Sequence, residues 1–363
     1  MAWVIIGCAL CAGLASCRKP AKAAPAETNR PLELVIPTEG KYTGAYIDFG
    51  DQEDDVTLEG IEDFETMVGK HQAIIASSSY WGEQSFPTRN MELIWRHGSV
   101  PLVFWSPWDK PYIQKRGPDR FSLTEIVKGT WDSYIDRWAD GARAFGQPMI
   151  VSFANEMNGD WFPWSGELYG RKKPGTRPNE YEGPETFKAA YRHVVDRVRT
   201  RGANNIKWMF HSNNYSEPNE GWNYPAAYYP GSNYVDWLGL SIYGQQVGDG
   251  DWSPIEPLIT WPYEQMAAID PTKPMMAAEW GVGEFPDEGN KASFIRDGLK
   301  LLRTQYPRIE AAVYWHERWQ NDDNTYSNLR VNSSVESLRA YREGVADPGW
   351  LDRPIFRPVG GKK

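Results

Sequence analysis

Beyond residue 31 the chain alternates short apolar runs with longer stretches in which apolar residues recur at helical spacing, without a second break in composition. Eight runs read as strands: 44–47, 73–76, 100–105, 149–153, 206–210, 235–240, 274–278 and 311–315. Between them, 131–145, 186–201 and 292–306 are amphipathic and long enough to be crossover helices, which the right-handed crossover rule places outside a parallel sheet. Eight strand–helix repeats are what a closed (β/α)8 barrel, the TIM barrel, requires, so one α/β barrel domain is expected over 32–363. The competing architecture is an open doubly wound sheet, which calls for a Gly-rich phosphate loop after an early strand; none is present.

The first residues follow a different pattern. Residues 1–16 form an apolar run too short to span a bilayer and ending in small side chains, the pattern of a secretory signal peptide, although no Lys or Arg precedes it. Leu14-Ala15-Ser16-Cys17 resembles the lipobox of bacterial lipoproteins, so Cys17 is expected to carry lipid and 17–31, rich in Ala, Pro, Lys and Arg, to act as a flexible tether. An uncleaved N-terminal anchor is the other reading. Cys8 and Cys11 leave with the leader, and the remaining thiol is already used, so no disulfide is expected. The expectation is a monomer outside the cytoplasm, tethered to the bacterial cell envelope (periplasm or outer membrane) and touching membrane through its lipid alone.

Composition narrows the function. The net charge of −9 provides no basic face for phosphates, which argues against a nucleic-acid partner. The 18 Trp, 19 Tyr and 13 Phe are more than economical packing needs: rings suit the apolar faces of sugars, or else a large enzyme core has taken many of them. Polar and aromatic residues gather where the strand runs end, the edge at which a barrel carries its site: Asp48, Trp81, Trp105 to Trp108, Asn155-Glu156, His211 to Asn214, Tyr243, Glu279-Trp280 and Trp315 to Glu317.

Two carboxylates stand out. Glu156 follows the fourth run and Glu279 ends the seventh, positions where a carboxylate is costly unless paired, bonded or working. Glycoside hydrolysis needs two carboxyl groups flanking one bond, about 5–5.5 Å apart for retention and about 6.5–9.5 Å for inversion. With only five His and no His-Glu-x-x-His, a catalytic zinc site is not expected; 239–243 misses the nucleophile-elbow pattern, and no metal, redox or nucleotide cofactor is implied. The acidic stretches 48–55 and 321–324 lack EF-hand spacing and read as solvated loops.

Around these carboxylates the sequence resembles glycoside hydrolase family 26, a clan A barrel family that includes β-mannanases, mixed-linkage β-glucanases and β-1,3-xylanases. The resemblance is carried by Glu156-Met157-Asn158-Gly159 with Trp161 and Trp164, Tyr228-Tyr229-Pro230-Gly231, Tyr234 to Gly239, Glu279-Trp280-Gly281 and Trp315. It implies that Glu156 is the acid/base and Glu279 the nucleophile of a retaining enzyme. It further implies that Tyr243 bonds the nucleophile, Trp315 lies under the sugar at the cleavage point and Trp161 stacks on substrate. The chain departs from the family pattern at Asn155 and Ser152, where His and Arg are usual, and at Ser241, where mannanases tend to carry Asp. Asn155 follows the wider clan, whose amide bonds the sugar 2-OH. Ser152 removes a cation beside the nucleophile, which disfavours the Glu279 charge unless another Arg or Lys reaches in.

Trp81, Trp105, Trp108, Trp161, Trp164, Trp280 and Trp315 are candidates to line a cleft for several sugars, some of them being core, while the loop 166–184 is placed to block one end. His211 and His316 are either ligands of substrate hydroxyls or rim residues. The expected activity is endo-hydrolysis of a β-linked polysaccharide, mixed-linkage or β-1,4-glucan or β-mannan. The rival is a barrel that binds carbohydrate without turning it over.

Overall fold

The computed structural model describes residues 30–48, 55–109, 119–173, 175, 180–321 and 323–360. The expected leader, Cys17 and nearly all of the tether lie outside these residues, as do 49–54 and Asp322 of the acidic stretches and part of the loop 166–184.

Eight parallel strands form a closed sheet: β1 (Lys41–Ile47), β2 (Ile74–Tyr80), β3 (Val100–Ser106), β4 (Met149–Phe153), β5 (Ile206–Asn213), β6 (Trp237–Tyr243), β7 (Met275–Gly281) and β8 (Ile309–His316). Each pairs with the next in sequence, and β8 closes on β1 from Tyr42↔Ala311 to Ile47↔His316. The chain is a single (β/α)8 barrel. Its larger helices are α1 (Leu58–Val68), α2 (Thr88–His97), α3 (Asp132–Phe145), α4 (Glu182–Thr200), α5 (Ile255–Ile269), α6 (Lys291–Thr304) and α7 (Val335–Val345), with the short helix Pro225–Tyr228 in the crossover from β5 to β6. Local chemistry sets their limits: the Thr57 hydroxyl accepts the Gly60 N–H at the start of α1, and Gly69 stops that helix in the left-handed conformation at φ 73°. No helix among the described residues is long and apolar enough to cross a membrane.

Alternation along the strands divides the buried residues into two cores. Tyr42, Tyr46, Ile74, Ala76, Leu102, Phe104, Ile150, Met209, Met276 and Val313 fill the barrel interior. Val103, Trp105, Val151, Phe153, Phe210, Leu240, Ile242, Trp280 and Tyr314 belong to the larger layer shared with the helices. This parity corrects several expectations for the cleft. Trp105 is fully buried on the helix side of β3, stacked on Trp138 of α3 at 3.9 Å and donating its indole N–H to Tyr134, because it shares a face with Val103. Trp81 and Trp280 are buried in that same layer, and Trp108 is buried edge-on to Phe162 and Trp164. Nor does His316 reach substrate or the rim: it is buried against Phe64 and accepts the Val331 N–H at 3.0 Å.

The strands run further than the apolar runs. β5, β6 and β7 each continue by three residues, through Asn213, Tyr243 and Gly281, so that His211, Tyr243 and Glu279 lie within strands. The sheet can keep these polar residues because its neighbours satisfy them.

Candidate active site

The end of β4 places Glu156. Ala154 and Glu156 have φ of 50° and 54°, the left-handed region that side chains with a Cβ rarely adopt. The strain is held by neighbouring strands: the Ala154 N–H bonds the Trp105 carbonyl at 3.3 Å and the Glu156 N–H bonds the His211 carbonyl at 2.8 Å. Trp164 tightens the same turn by donating its indole N–H to the Asn155 carbonyl at 2.6 Å. It is only 1% exposed and stacks on Phe162, so Trp164 fixes Asn155 from beneath and does not meet substrate as expected.

Glu279 reaches the mouth by a different device. Leu240 pairs with Ala277 while Ser241 pairs with Glu279, leaving Ala278 as an extra residue in β7. This bulge turns Glu279 inward after Ala278, and Trp280 returns to the helix side. Glu279 Oε2 accepts the Tyr243 hydroxyl at 2.8 Å, and Oε1 accepts the Asn155 amide at 3.3 Å. Burial, with Glu279, Glu156 and Glu317 nearby, raises the Tyr243 pKa well above its ordinary value, so its hydroxyl remains a donor.

A buried chain of hydrogen bonds lies beneath the two carboxylates. His211 is 1% exposed, with Nδ1 3.1 Å from Ser152 Oγ and Nε2 2.9 Å from Ser241 Oγ. Burial pushes its pKa down to about 3, so the ring is neutral and has one N–H. The Ser241 hydroxyl also favours the charged form of Glu156. With one N–H, the ring donates to one of its two serine neighbours and accepts from the other. His211 Nε2 is also 3.9 Å from Glu279 Oε1. Read as either a ligand of substrate hydroxyls or a rim residue, His211 is neither: it lies buried beneath the mouth, bridging Ser152 and Ser241 beside Glu279. The neutral pair Ser152–His211 occupies the region where the resemblance calls for Arg.

Burial raises the Glu156 pKa above the ordinary carboxylate value, partly offset by the Ser241 hydroxyl and the Trp161 indole. Trp161 donates its N–H to Glu156 Oε2 at 2.7 Å and keeps 36% of its surface exposed. The indole lies so close to Gly159 that a Cβ there would come within 2.4 Å of it, so glycine is required at this position. Beside Trp161 stands Tyr215, 53% exposed with ring centroids 5.8 Å apart, which the sequence reading passed over. Its placement depends on Asn158, whose side chain bonds the Tyr215 and Asn213 carbonyls and the Asn213 N–H, contacts that sequence spacing does not signal.

Trp315, half-buried, lies flat on Tyr46 at 3.8 Å and 6° and donates its N–H to Glu317 at 2.6 Å. Tyr46 and Trp315 are paired in register across β1 and β8, so strand pairing itself orients the ring. Asp48, at the end of β1, is paired with Arg330.

The profile of glycosyl hydrolase family 26 matches residues 123–329, which include both carboxylates, Asn155, Trp161, Tyr243 and Trp315. Endoglucanase H of Acetivibrio thermocellus is 31% identical over 289 residues, 78% of this chain and 29% of that protein. Mannan endo-1,4-beta-mannosidase A and B of Caldalkalibacillus mannanilyticus is 28% identical over 198 residues, 53% of this chain and 33% of that protein. The chain thus spans a third or less of each of these relatives. The catalytic domain of the Bacillus sp. JAMB-750 endo-beta-1,4-mannanase shares the fold, with a TM-score of 0.64 and 19% identity over 86% of this chain and 87% of that one. Since the family profile covers more than half of the sequence and includes both mouth carboxylates, the chain belongs to glycosyl hydrolase family 26.

Proposed function

We propose that this chain is a retaining endo-β-glycoside hydrolase acting on a β-linked polysaccharide, with glucan of β-1,4 or mixed linkage as its preferred substrate. The observation that carries the reading is the pair Glu156 and Glu279, turned into one mouth by a strained turn and a strand bulge and joined through Asn155.

In the first step a Glu279 oxygen bonds the anomeric carbon as the C–O bond to the leaving sugar breaks. Glu156 gives its proton to the departing oxygen. In the second step Glu156 takes a proton from water, the resulting hydroxide bonds the anomeric carbon and Glu279 leaves as carboxylate. The raised pKa of Glu156 suits a group that must begin the cycle protonated. Tyr243 and Asn155 donate to Glu279 and favour the charged, attacking form. Trp315 on its Tyr46 base offers a ring at the cleavage point, and Trp161 with Tyr215 offers a second platform beside the acid.

Glucan is favoured because Ser241, where mannanases tend to carry Asp, is occupied with His211 and Glu156. Mannan is the second reading, favoured by the mannosidase among the relatives. Lipid attachment at Cys17 would hold the enzyme at the cell envelope, as the Leu14-Ala15-Ser16-Cys17 motif supports. The test is reducing-end release from barley β-glucan, lichenan, glucomannan, galactomannan and β-1,3-xylan by the wild type and by Glu156→Ala and Glu279→Ala. Glucan hydrolysis lost in both variants is expected, and azide should restore Glu279→Ala with inverted product. Binding without turnover on every polymer would overturn the catalytic reading in favour of a carbohydrate-binding barrel.

A further inference from the structure

At the opposite end of the barrel, below the N-terminal ends of β2 and β3, two histidines converge on one carboxylate. Glu65 comes from the inner side of α1, His71 from the loop leading into β2, and His97 is the last residue of α2. His71 Nδ1 lies 2.9 Å from Glu65 Oε1 and 3.0 Å from Oε2, and His97 Nε2 lies 3.0 Å from Oε2. One ligand atom from each residue falls within 4.8 Å of the other two. We propose that Glu65, His71 and His97 bind one divalent transition-metal ion of the zinc class, which clamps α1 to α2 under the barrel.

The donor set carries this assignment. Two imidazole nitrogens and one carboxylate oxygen suit zinc, whereas calcium and magnesium seek oxygen ligands alone. Around a tetrahedral ion with bonds of about 2.0–2.1 Å the ligand atoms stand about 3.3 Å apart; the two 2.9–3.0 Å histidine–carboxylate separations need to open by only a few tenths of an ångström, and the two histidine nitrogens already lie within 4.8 Å of each other. Groups behind the ligands are already arranged. The Gln72 N–H holds Glu65 Oε1 at 2.9 Å, orienting the carboxylate, and His71 Nε2 lies 3.5 Å from the Gly98 carbonyl. Without metal, Nδ1 carries the proton that bonds Glu65; metal binding moves that proton to Nε2, toward Gly98, and frees Nδ1 as a ligand. Backbone contacts fix the loop, since Thr43 Oγ1 bonds the His71 carbonyl at 3.2 Å and Ser99 Oγ bonds the Gln72 carbonyl at 2.7 Å.

The side chains of Glu65, His71 and His97 keep 13%, 10% and 12% of their surface exposed, enough for an ion to enter and for water to complete its coordination. Glu62 and Glu92 line the adjoining groove with Arg89 and Arg96, while the Arg353 guanidinium approaches Gly98, on the Nε2 side of His71. With five His, no His-Glu-x-x-His and no spare Cys, the sequence carries no sign of a metal site. Here the histidines lie 6 and 32 residues beyond the glutamate, and only the barrel brings them together. This end of a barrel serves stability, so the inference is independent of the hydrolysis reading.

The experiment uses the purified, tag-free chain, stripped with EDTA and titrated by calorimetry with zinc chloride and, separately, calcium chloride. One equivalent of zinc should bind at micromolar or tighter affinity and raise the melting temperature, with no calcium binding of that strength. Glu65→Gln, His71→Ala and His97→Gln should each weaken zinc at least tenfold. Cobalt titrated into the wild type should give the intense visible absorption of a four-coordinate site, a readout that does not depend on any variant folding. Absence of one-equivalent zinc binding, a weak six-coordinate cobalt spectrum, or zinc affinity unchanged in all three variants would overturn the proposal.

Discussion

Trp161→Phe isolates one contact to the proposed acid while keeping an aromatic ring for the sugar. The wild-type indole N–H donates to Glu156 Oε2 at 2.7 Å, and a hydrogen bond to a charged group contributes about 1.5–3 kcal/mol. Trp161 is 36% exposed, so water replaces part of what is lost and the effect falls to the lower end, ~1.5 kcal/mol, roughly tenfold in the proton affinity of Glu156. The sign follows from which form the bond favours. The indole stabilises the carboxylate and holds the pKa down against burial; without it, the protonated acid persists to higher pH. The alkaline limb of kcat/KM, which reports loss of that proton in the free enzyme, should move upward, and the acid limb should stay in place. Initial rates of reducing-end release on a soluble β-glucan across pH, for wild type and variant, measure both limbs. Weaker stacking by Phe would lower kcat/KM by the same factor at every pH and leave the limbs where they were. An alkaline limb that is unmoved or shifts downward refutes the assignment of Glu156 as the acid under Trp161 control.

Tyr243→Phe removes the 2.8 Å donor to Glu279 and should cost about 1.5–3 kcal/mol in transition-state stabilisation, roughly 10- to 150-fold in kcat/KM, with thermal unfolding little changed. Trp105→Ala should destabilise the fold by about 3–5 kcal/mol in denaturant melts, since the ring is fully buried on Trp138, while KM of the folded enzyme stays the same. Ser152→Arg, which restores the residue usual in the family, should lower activity and cost about 1–3 kcal/mol of stability, because the site is completely buried and His211 sits 3.1 Å from the serine oxygen. Activity at or above wild type in that variant would show that the Ser152–His211 pair is dispensable.

The parts of this protein legible in its sequence are those governed by apolar periodicity. All eight runs became barrel strands, and the amphipathic stretches 131–145, 186–201 and 292–306 correspond to α3, α4 and α6. Apolar runs alone stop short of the strand ends, because Ser241, Tyr243 and Glu279 stay in the sheet through hydrogen bonds and close contacts with one another and His211. The excess of rings is open in the sequence to either a sugar cleft or a core, and Trp81, Trp105, Trp164 and Trp280 fall to the core, among the most buried of the described side chains. Strand parity separates the cases. On β3, Phe104 faces the interior beside Trp315, so its neighbour Trp105 must face the helices.

The same parity rule identifies where periodicity should fail. Counting from Met276, an unbroken β7 would place Ala278 and Trp280 in the barrel and leave Glu279 among the apolar side chains of the helix layer. The extra residue at Ala278 reverses that outcome: the carboxylate enters the mouth and the large ring returns to the core. On β4 the corresponding interruption is the pair of left-handed residues around Asn155, beyond which Glu156 can turn toward Ser241. Both proposed catalytic carboxylates therefore occupy positions that a regular strand would not aim at substrate. The backbone irregularity is held by packing rather than by local preference: Trp164 and the strand-end hydrogen bonds support one side, and the β6 and β8 ladders the other. This accounts for fully buried tryptophans clustering directly behind the site, where rigid packing maintains two local conformations that neither segment would adopt alone.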